Sequence, residues 1–133
     1  MADLVFFYGT LMAGFDRRRQ AGIDNKLTYL GRSSIQAALF DLGIYPAAVP
    51  ASEGRVWGEL YDMADASAVL SALDDIEGCR PDDPDRSLYI RAQAPVTLPD
   101  GRPDRAWVYF YNAPLGQAGR IASGDYLQHV KVR

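Results

Sequence analysis

One segment of the chain, residues 65–77, carries the clearest helical pattern, and this restricts the fold more than any other feature. The segment contains neither Gly nor Pro, and its apolar residues recur at three- and four-residue spacing. Asp65 is the predicted N-cap, and Gly78 is the predicted stop signal. Because no comparable helices alternate with strands along the chain, a doubly wound parallel sheet is excluded.

The other patterns are typical of short strands. Residues Leu4 to Tyr8 are all apolar or aromatic and end at Gly9, which predicts a buried central strand. Gly31 is predicted to separate two of the later strands, and a short helix is predicted at 123–130. The later strands are predicted at 27–30, 35–42, 56–63, 89–98 and 105–111. This content predicts an α+β fold with a largely antiparallel or mixed sheet, without establishing whether the sheet closes into a barrel.

The size of the chain fits one domain spanning residues 1–133. Its hydrophobic fraction of 48% and charged fraction of 23% are ordinary for a globular protein. The sequence contains no internal repeat and no low-complexity linker that would divide it.

The charge balance argues against a nucleic-acid partner. The formal net charge is −3, whereas nucleic-acid-binding domains usually carry a basic surplus. The basic cluster Arg17, Arg18 and Arg19 is short, and such runs are more often solvated turns than phosphate sites.

The chain has no feature of an exported or membrane-bound protein. Cys79 is its one cysteine, so an internal disulfide is impossible. No apolar stretch approaches the ~20 residues that a membrane span requires, and the first residues lack the basic region of a secretory signal. We therefore predict a cytoplasmic protein without a membrane partner.

Metal and nucleotide chemistry have no motif in this sequence. His129 is the one histidine, and no Cys or His pair has the spacing of zinc ligands. Neither GxGxxG nor a phosphate-binding P-loop is present. A nucleophilic pair of Cys79 and His129 is formally available, but a lone cysteine is usually an inert core residue.

The segment Tyr8-Gly9-Thr10-Leu11 follows the first strand directly. A glycine there lets the chain turn and lets a ligand approach the main chain, and consecutive amides could hold a carboxylate. Many strands end in glycine without any such role, so the segment alone leaves both interpretations open.

Glu77 is the strongest candidate for acid–base chemistry. It follows Leu73 by four positions and Leu70 by seven, so it projects from the apolar side of the predicted helix, whereas Asp74 and Asp75 are predicted to be solvated. A carboxylate on an apolar face should have a raised pKa, which suits a general base. However, Glu77 also lies in the last turn of the helix, where the side chain could turn out to water.

Several short motifs together resemble the γ-glutamylcyclotransferase-like, or AIG2-like, family. They occur in order from about Leu4 to Tyr126, nearly the whole chain, and their joint spacing is more specific than any one of them. The motifs are Tyr8-Gly9-Thr10-Leu11, Asp41-Leu42-Gly43-Ile44-Tyr45-Pro46-Ala47, Val56-Trp57-Gly58-Glu59-Leu60-Tyr61, Leu73-Asp74-Asp75-Ile76-Glu77-Gly78, Tyr89-Ile90-Arg91 and Ser123-Gly124-Asp125-Tyr126.

The resemblance implies a small mixed β-barrel with flanking helices, in which the turn after the first strand lines a cavity. It also implies a cofactor-free and metal-free reaction on a small-molecule γ-glutamyl amide or peptide. The substrate's α-amine attacks its own γ-carbonyl, which releases 5-oxoproline and a free amine. By matching the family's motifs, Glu77 would be the catalytic acid and base, and Tyr8, Gly9, Thr10 and Leu11 would bind the substrate.

Tyr89 matches a tyrosine often found after the family's glutamate and would close the pocket by a hydroxyl contact. The Tyr-Gly-Thr-Leu form of the loop is nearest the branch that includes γ-glutamylamine cyclotransferase. Cys79 departs from the aromatic residue frequently found two positions after the glutamate, which affects the pocket rim and not the base. The alternative function is a non-catalytic module that binds a small acid on the same fold. No heptad or apolar surface stripe predicts an oligomeric state.

Overall fold

Five strands close into a barrel in a computed structural model, which describes residues 3–12 and 22–132. The strands are β1 (Leu4–Phe7), β2 (Leu27–Ile35), β5 (Val56–Met63), β6 (Tyr89–Thr97) and β7 (Pro103–Tyr111). Their order around the barrel is β1, β5, β2, β6, β7. Neighbouring strands are antiparallel except β1 and β7, which run parallel with Val5 opposite Trp107. The α+β fold class and the mixed barrel are confirmed.

A second sheet and two helices flank the barrel in the described part of the chain. The sheet has the order β4, β3, β8, and all its pairs are antiparallel. These elements are β3 (Ala37–Asp41), β4 (Pro46–Pro50), β8 (Gly119–Arg120), helix α1 (Ala66–Glu77) and helix α2 (Tyr126–Val132), with 3-10 turns at Asp24–Lys26 and Pro84–Arg86. The prediction did not include β4 or β8, and it placed the start of the final helix three residues too early.

The first strand is the centre of the core. All four residues of β1 are buried, as a strand covered on both faces requires, so the prediction of a buried central strand is confirmed. Because β7 runs parallel to β1 and antiparallel to β6, the end of β1, the start of β6 and the end of β7 meet at one end of the barrel. This topology gathers Tyr8, Tyr89 and Tyr109 from distant parts of the sequence.

Helix α1 has the predicted extent, but the start is held differently than expected. Gly78 ends the helix in the left-handed conformation, with φ +64°, as predicted. Asp65 occupies the N-cap position without a side-chain capping bond, because its backbone is left-handed (φ 54°) and not in the extended region of a capping residue. Its carboxylate instead pairs with Lys26 at 3.3 Å.

The predicted break at Gly31 is wrong. Strand β2 continues from Leu27 to Ile35, and the register shifts between Tyr29 and Gly31 as in a β-bulge. Gly31 has φ +132°, and a Cβ there would lie 2.5 Å from Pro99 Cγ. The glycine therefore permits a bulge inside one strand and does not end it.

Two remaining predictions concern the basic cluster and a membrane-spanning segment. Arg17, Arg18 and Arg19 lie outside the described residues. No helix of the described chain has the length and apolar character needed to span a membrane.

Candidate active site

The end of the barrel where β1 stops holds a cavity. The space between its atoms is about 330 Å³ when the solvent at its open mouth is included. All six predicted site residues line it, together with five further residues. In the described part of the chain, the lining residues are Phe6, Phe7, Tyr8, Gly9, Thr10, Leu11, Tyr45, Pro46, Glu77, Tyr89 and Tyr109.

The chain turns sharply after β1, at residues 9–12. The Met12 amide donates to the Gly9 carbonyl at 3.0 Å, which closes a four-residue turn. That bond does not use the amides of Thr10 and Leu11, the two central residues. Gly9 is required here by close approach, since a Cβ would lie 2.6 Å from Pro46 Cγ at the start of β4. The turn is therefore packed directly against a second wall of the cavity.

Tyr8 is a buried phenol with both of its hydrogen-bonding roles used. Its hydroxyl donates to the Tyr109 carbonyl at 2.6 Å and accepts from the Ala48 amide at 3.2 Å. Burial raises the pKa of Tyr8, the negative charge of Glu77 raises it further, and the Ala48 amide opposes both. Tyr8 consequently keeps its proton at neutral pH and serves as a fixed wall between β1, β4 and β7.

Glu77 is buried and lines the cavity from the last position of α1. Its exposed fraction is 7%, so the side chain does not turn out to water. Tyr8, at the end of β1, lines the same cavity, and the negative charge of Glu77 contributes to the raised pKa of its phenol. The cavity thus has an ionisable oxygen pair on the helix side and a turn of main-chain amides on the strand side.

Tyr89 contributes the wall at the start of β6. It is 3% exposed, and its hydroxyl donates to the Pro46 carbonyl at 2.9 Å. Its ring packs against Tyr45, with centroids 6.2 Å apart, and meets Tyr111 edge-on at 5.3 Å. The Tyr89 hydroxyl thus joins β6 to β4 within the protein.

Asp74 is buried, so the prediction that it is solvated is wrong. It is 8% exposed, and Arg91 binds both of its oxygens, at 3.0 and 3.1 Å. The spacing could have revealed this, because Asp74 follows Leu70 by four residues and precedes Glu77 by three, on the same helix face. No local pattern indicates a partner for this buried charge, since Arg91 lies on a strand 17 residues away.

Tyr45, Pro46 and Tyr109 are lining residues that sequence reasoning missed. Tyr45 and Pro46 belong to a motif quoted for the family resemblance, but nothing in the motif indicates which side chains reach the cavity. Tyr109 is an ordinary strand tyrosine by pattern, and only the parallel pairing of β1 with β7 brings it to Tyr8.

Cys79 and His129 do not form a site. Cys79 lines surface grooves beside Arg91, whereas His129 lines a different groove and contacts Asp41, with Nε2 2.7 Å from Oδ2. Neither residue lines the cavity that contains Glu77. Within residues 3–12 and 22–132, no three His, Cys, Asp or Glu side chains are grouped as metal ligands.

We expect the Cys79 thiol to be slow to react in the folded protein. Burial raises the pKa of Cys79 above its ordinary value of 9.0, so at pH 8 the folded state holds less thiolate than the unfolded state. Alkylation by iodoacetamide at pH 8 should be about tenfold slower in native protein than in protein unfolded by urea. Equal rates would contradict this, and the Cys79→Ser variant gives the background labelling.

The comparisons with known proteins all give the same family. Residues 5–128 match the sequence model of the family described as gamma-glutamyl cyclotransferase, AIG2-like. The gamma-glutamylcyclotransferase family protein YtfP of Escherichia coli K12 is 34% identical over 132 residues, covering 96% of this chain and 98% of that protein.

Solved structures give the same result. The solution structure of Escherichia coli YtfP has a TM-score of 0.64 and 31% identity, covering 96% of this chain and 98% of that chain. The crystal structure of an AIG2-like protein from Mus musculus has a TM-score of 0.66 and 25% identity, covering 85% of this chain and 80% of that chain.

Proposed function

The chain belongs to the AIG2-like gamma-glutamyl cyclotransferase family, and on that premise we propose that it converts a γ-glutamyl amide or peptide into 5-oxoproline and a free amine. The observation that carries the proposal is the burial of Glu77 in the same cavity as the turn at residues 9–12. A buried carboxylate opposite main-chain amides suits a substrate that has an ammonium group and a carboxylate on one carbon atom.

The reaction is an internal transfer of the γ-glutamyl group. The substrate's α-amine must first lose a proton, which Glu77 accepts. The amine nitrogen then bonds to the γ-carbonyl carbon and closes a five-membered ring, and the bond from that carbon to the leaving nitrogen breaks. Glu77 returns this proton to the leaving nitrogen as its bond to carbon breaks. The ring nitrogen also loses a second proton, which the freed amine takes up to depart as an ammonium ion, so the two products account for every atom of the substrate.

The turn at residues 9–12 has the second role. Thr10 and Leu11 are the central residues of this turn and supply consecutive main-chain amides beside the cavity, and these would bind the α-carboxylate or the oxyanion that forms at the γ-carbonyl. Holding the carboxylate at the turn and the amine at Glu77 would bend the glutamyl chain toward its own carbonyl. Orientation of two reacting groups can contribute several kcal/mol to a barrier reduction, about 7 in favourable cases.

The tyrosines that line the cavity suit a site in which Glu77 is the acid and the base. Tyr8, Tyr89 and Tyr109 commit their hydroxyl protons to protein acceptors, namely two carbonyls and a carboxylate. They therefore do not compete with Glu77 as acids, and their rings limit the access of water to the reacting carbonyl. In this proposal Tyr89 binds substrate through its ring, with its hydroxyl holding Pro46 in place.

A substrate panel tests the proposed function. The protein is incubated with γ-glutamyl-ε-lysine, γ-glutamyl dipeptides and γ-glutamylamines, and 5-oxoproline is measured by chromatography. We expect at least one compound to release 5-oxoproline and amine in equal amounts. Binding of 5-oxoproline in a thermal-shift assay without turnover of any compound would instead support a small-acid-binding module on this fold.

A further inference from the structure

A hydrogen-bonded cluster lies directly behind the wall of the cavity. Its centre is the buried Asp74 carboxylate on α1, which Arg91 on β6 contacts through Nε and a terminal nitrogen. The Tyr109 hydroxyl on β7 donates to the same carboxylate at 2.7 Å. The cluster therefore joins the helix that carries Glu77 to two strands of the barrel.

The cluster contacts the candidate site on two sides. Asp74 precedes Glu77 by three residues on the same face of α1, so fixing Asp74 fixes the last turn of the helix. The Tyr109 ring lines the cavity, and the Tyr109 carbonyl accepts the hydrogen bond of Tyr8. One residue thus contacts both the helix side and the strand side of the cavity.

The charges within the cluster are matched. Burial alone would lower the pKa of Arg91, but the hydrogen bonds and charge of Asp74 outweigh burial and raise it. The guanidinium also lies over the Trp107 ring, 4.8 Å from its centroid. Burial, followed by the hydrogen bond to Asp74, raises the pKa of Tyr109. The Tyr109 hydroxyl therefore keeps its proton, which stays in the hydrogen bond to Asp74.

We propose that Asp74, Arg91 and Tyr109 form a positioning cluster that holds the Glu77 carboxylate in line with the substrate amine. The inference rests on the proposed function and adds three residues to it, none of which exchanges a proton with substrate. The hydrogen bonds to the Asp74 carboxylate fix the helix, whereas the strand side is held by the main-chain carbonyl of Tyr109. Loss of the bonds to Asp74 should therefore affect the proton transfer more than substrate binding.

The Tyr109→Phe variant tests this with the smallest change. It removes the hydroxyl contact to Asp74 and keeps both the ring and the carbonyl that binds Tyr8. We expect kcat to fall about 10- to 100-fold, with KM within about twofold of the original value. A change in KM alone, or no change in kcat, would overturn the proposal.

The matched control is Tyr61→Phe. Tyr61 is as buried as Tyr109 and also donates to a carboxylate, that of Glu59 at 2.9 Å, but it does not line the cavity. A merely structural role predicts equal effects of the two variants on kcat. The proposal predicts a loss of kcat in Tyr109→Phe alone, after the fraction of folded protein is matched by circular dichroism.

A second measurement separates this inference from the proposed function. If the original protein turns over no γ-glutamyl compound, the proposed function fails, and the cluster is judged by the carbon-13 signal of the Glu77 carboxyl group. A displacement of that signal in Tyr109→Phe and not in Tyr61→Phe supports positioning of Glu77. An unmoved signal in both variants overturns it.

Discussion

The Glu77→Gln variant is expected to turn over γ-glutamyl substrates about 10²- to 10⁴-fold more slowly than the original protein, the range that a general base typically contributes. Glutamine has the shape of glutamate but cannot accept the proton of the substrate's ammonium group. Among the described residues that line the cavity, Glu77 is the one carboxylate, so none of the others can replace it as the base. The rate of 5-oxoproline release at saturating substrate measures the effect.

The control for Glu77→Gln is Asp75→Asn, the same chemical change at an exposed position of the same helix. Asp75 does not line the cavity, so its variant should retain the original rate. Equal rates for Glu77→Gln and Asp75→Asn would remove Glu77 from the mechanism. Binding of 5-oxoproline by Glu77→Gln would show that its cavity is still formed.

The elements that depend on local sequence could be predicted. Helix α1 and strand β5 have the predicted extents because helical periodicity, the Gly78 stop and a run of β-type residues all act within a few positions of one another. The same locality explains Glu77, whose burial follows from its spacing to Leu70 and Leu73.

Features that depend on distant partners could not be predicted in this way. The barrel closes through the pairing of β1 with β7, whose residues Val5 and Trp107 are about a hundred positions apart. Strand β8 has two residues and exists only because β3 pairs with it. Asp74 is buried because Arg91 on β6 and Tyr109 on β7 both donate hydrogen bonds to its carboxylate. No pattern within α1 indicates these two partners.

The family resemblance predicted a ligand-binding role for the Tyr8–Leu11 segment, which periodicity alone could not. The residues alone left the Tyr8–Leu11 segment open between a plain strand end and a ligand loop, and the resemblance favoured the loop. The structure puts that segment and Glu77 in one cavity, although strands β2 to β5 and most of α1 lie between them in the sequence. The physical reason is again the barrel, which brings the end of β1 beside the last turn of α1.

The Gly124→Ala variant is expected to have the largest effect on folding, a loss of about 3–5 kcal/mol in the free energy of unfolding. Gly124 has φ +68°, and an added Cβ would lie 1.7 Å from the carbonyl oxygen of Arg55, the residue that directly precedes β5. The Gly124 carbonyl also accepts the Trp57 amide at 2.8 Å, so any shift breaks the attachment of this turn to β5. Urea unfolding followed by fluorescence measures the change.

Gly116→Ala separates backbone strain from collision. Gly116 has nearly the same backbone angle, φ +59°, but a Cβ there has no atom within 4 Å. Its variant should therefore lose only the cost of a left-handed alanine, about 1–2 kcal/mol. The difference between the two variants is the cost of forcing the turn away from Arg55. If Gly124→Ala is no less stable than Gly116→Ala, then the close contact between this turn and β5 does not contribute to stability as argued.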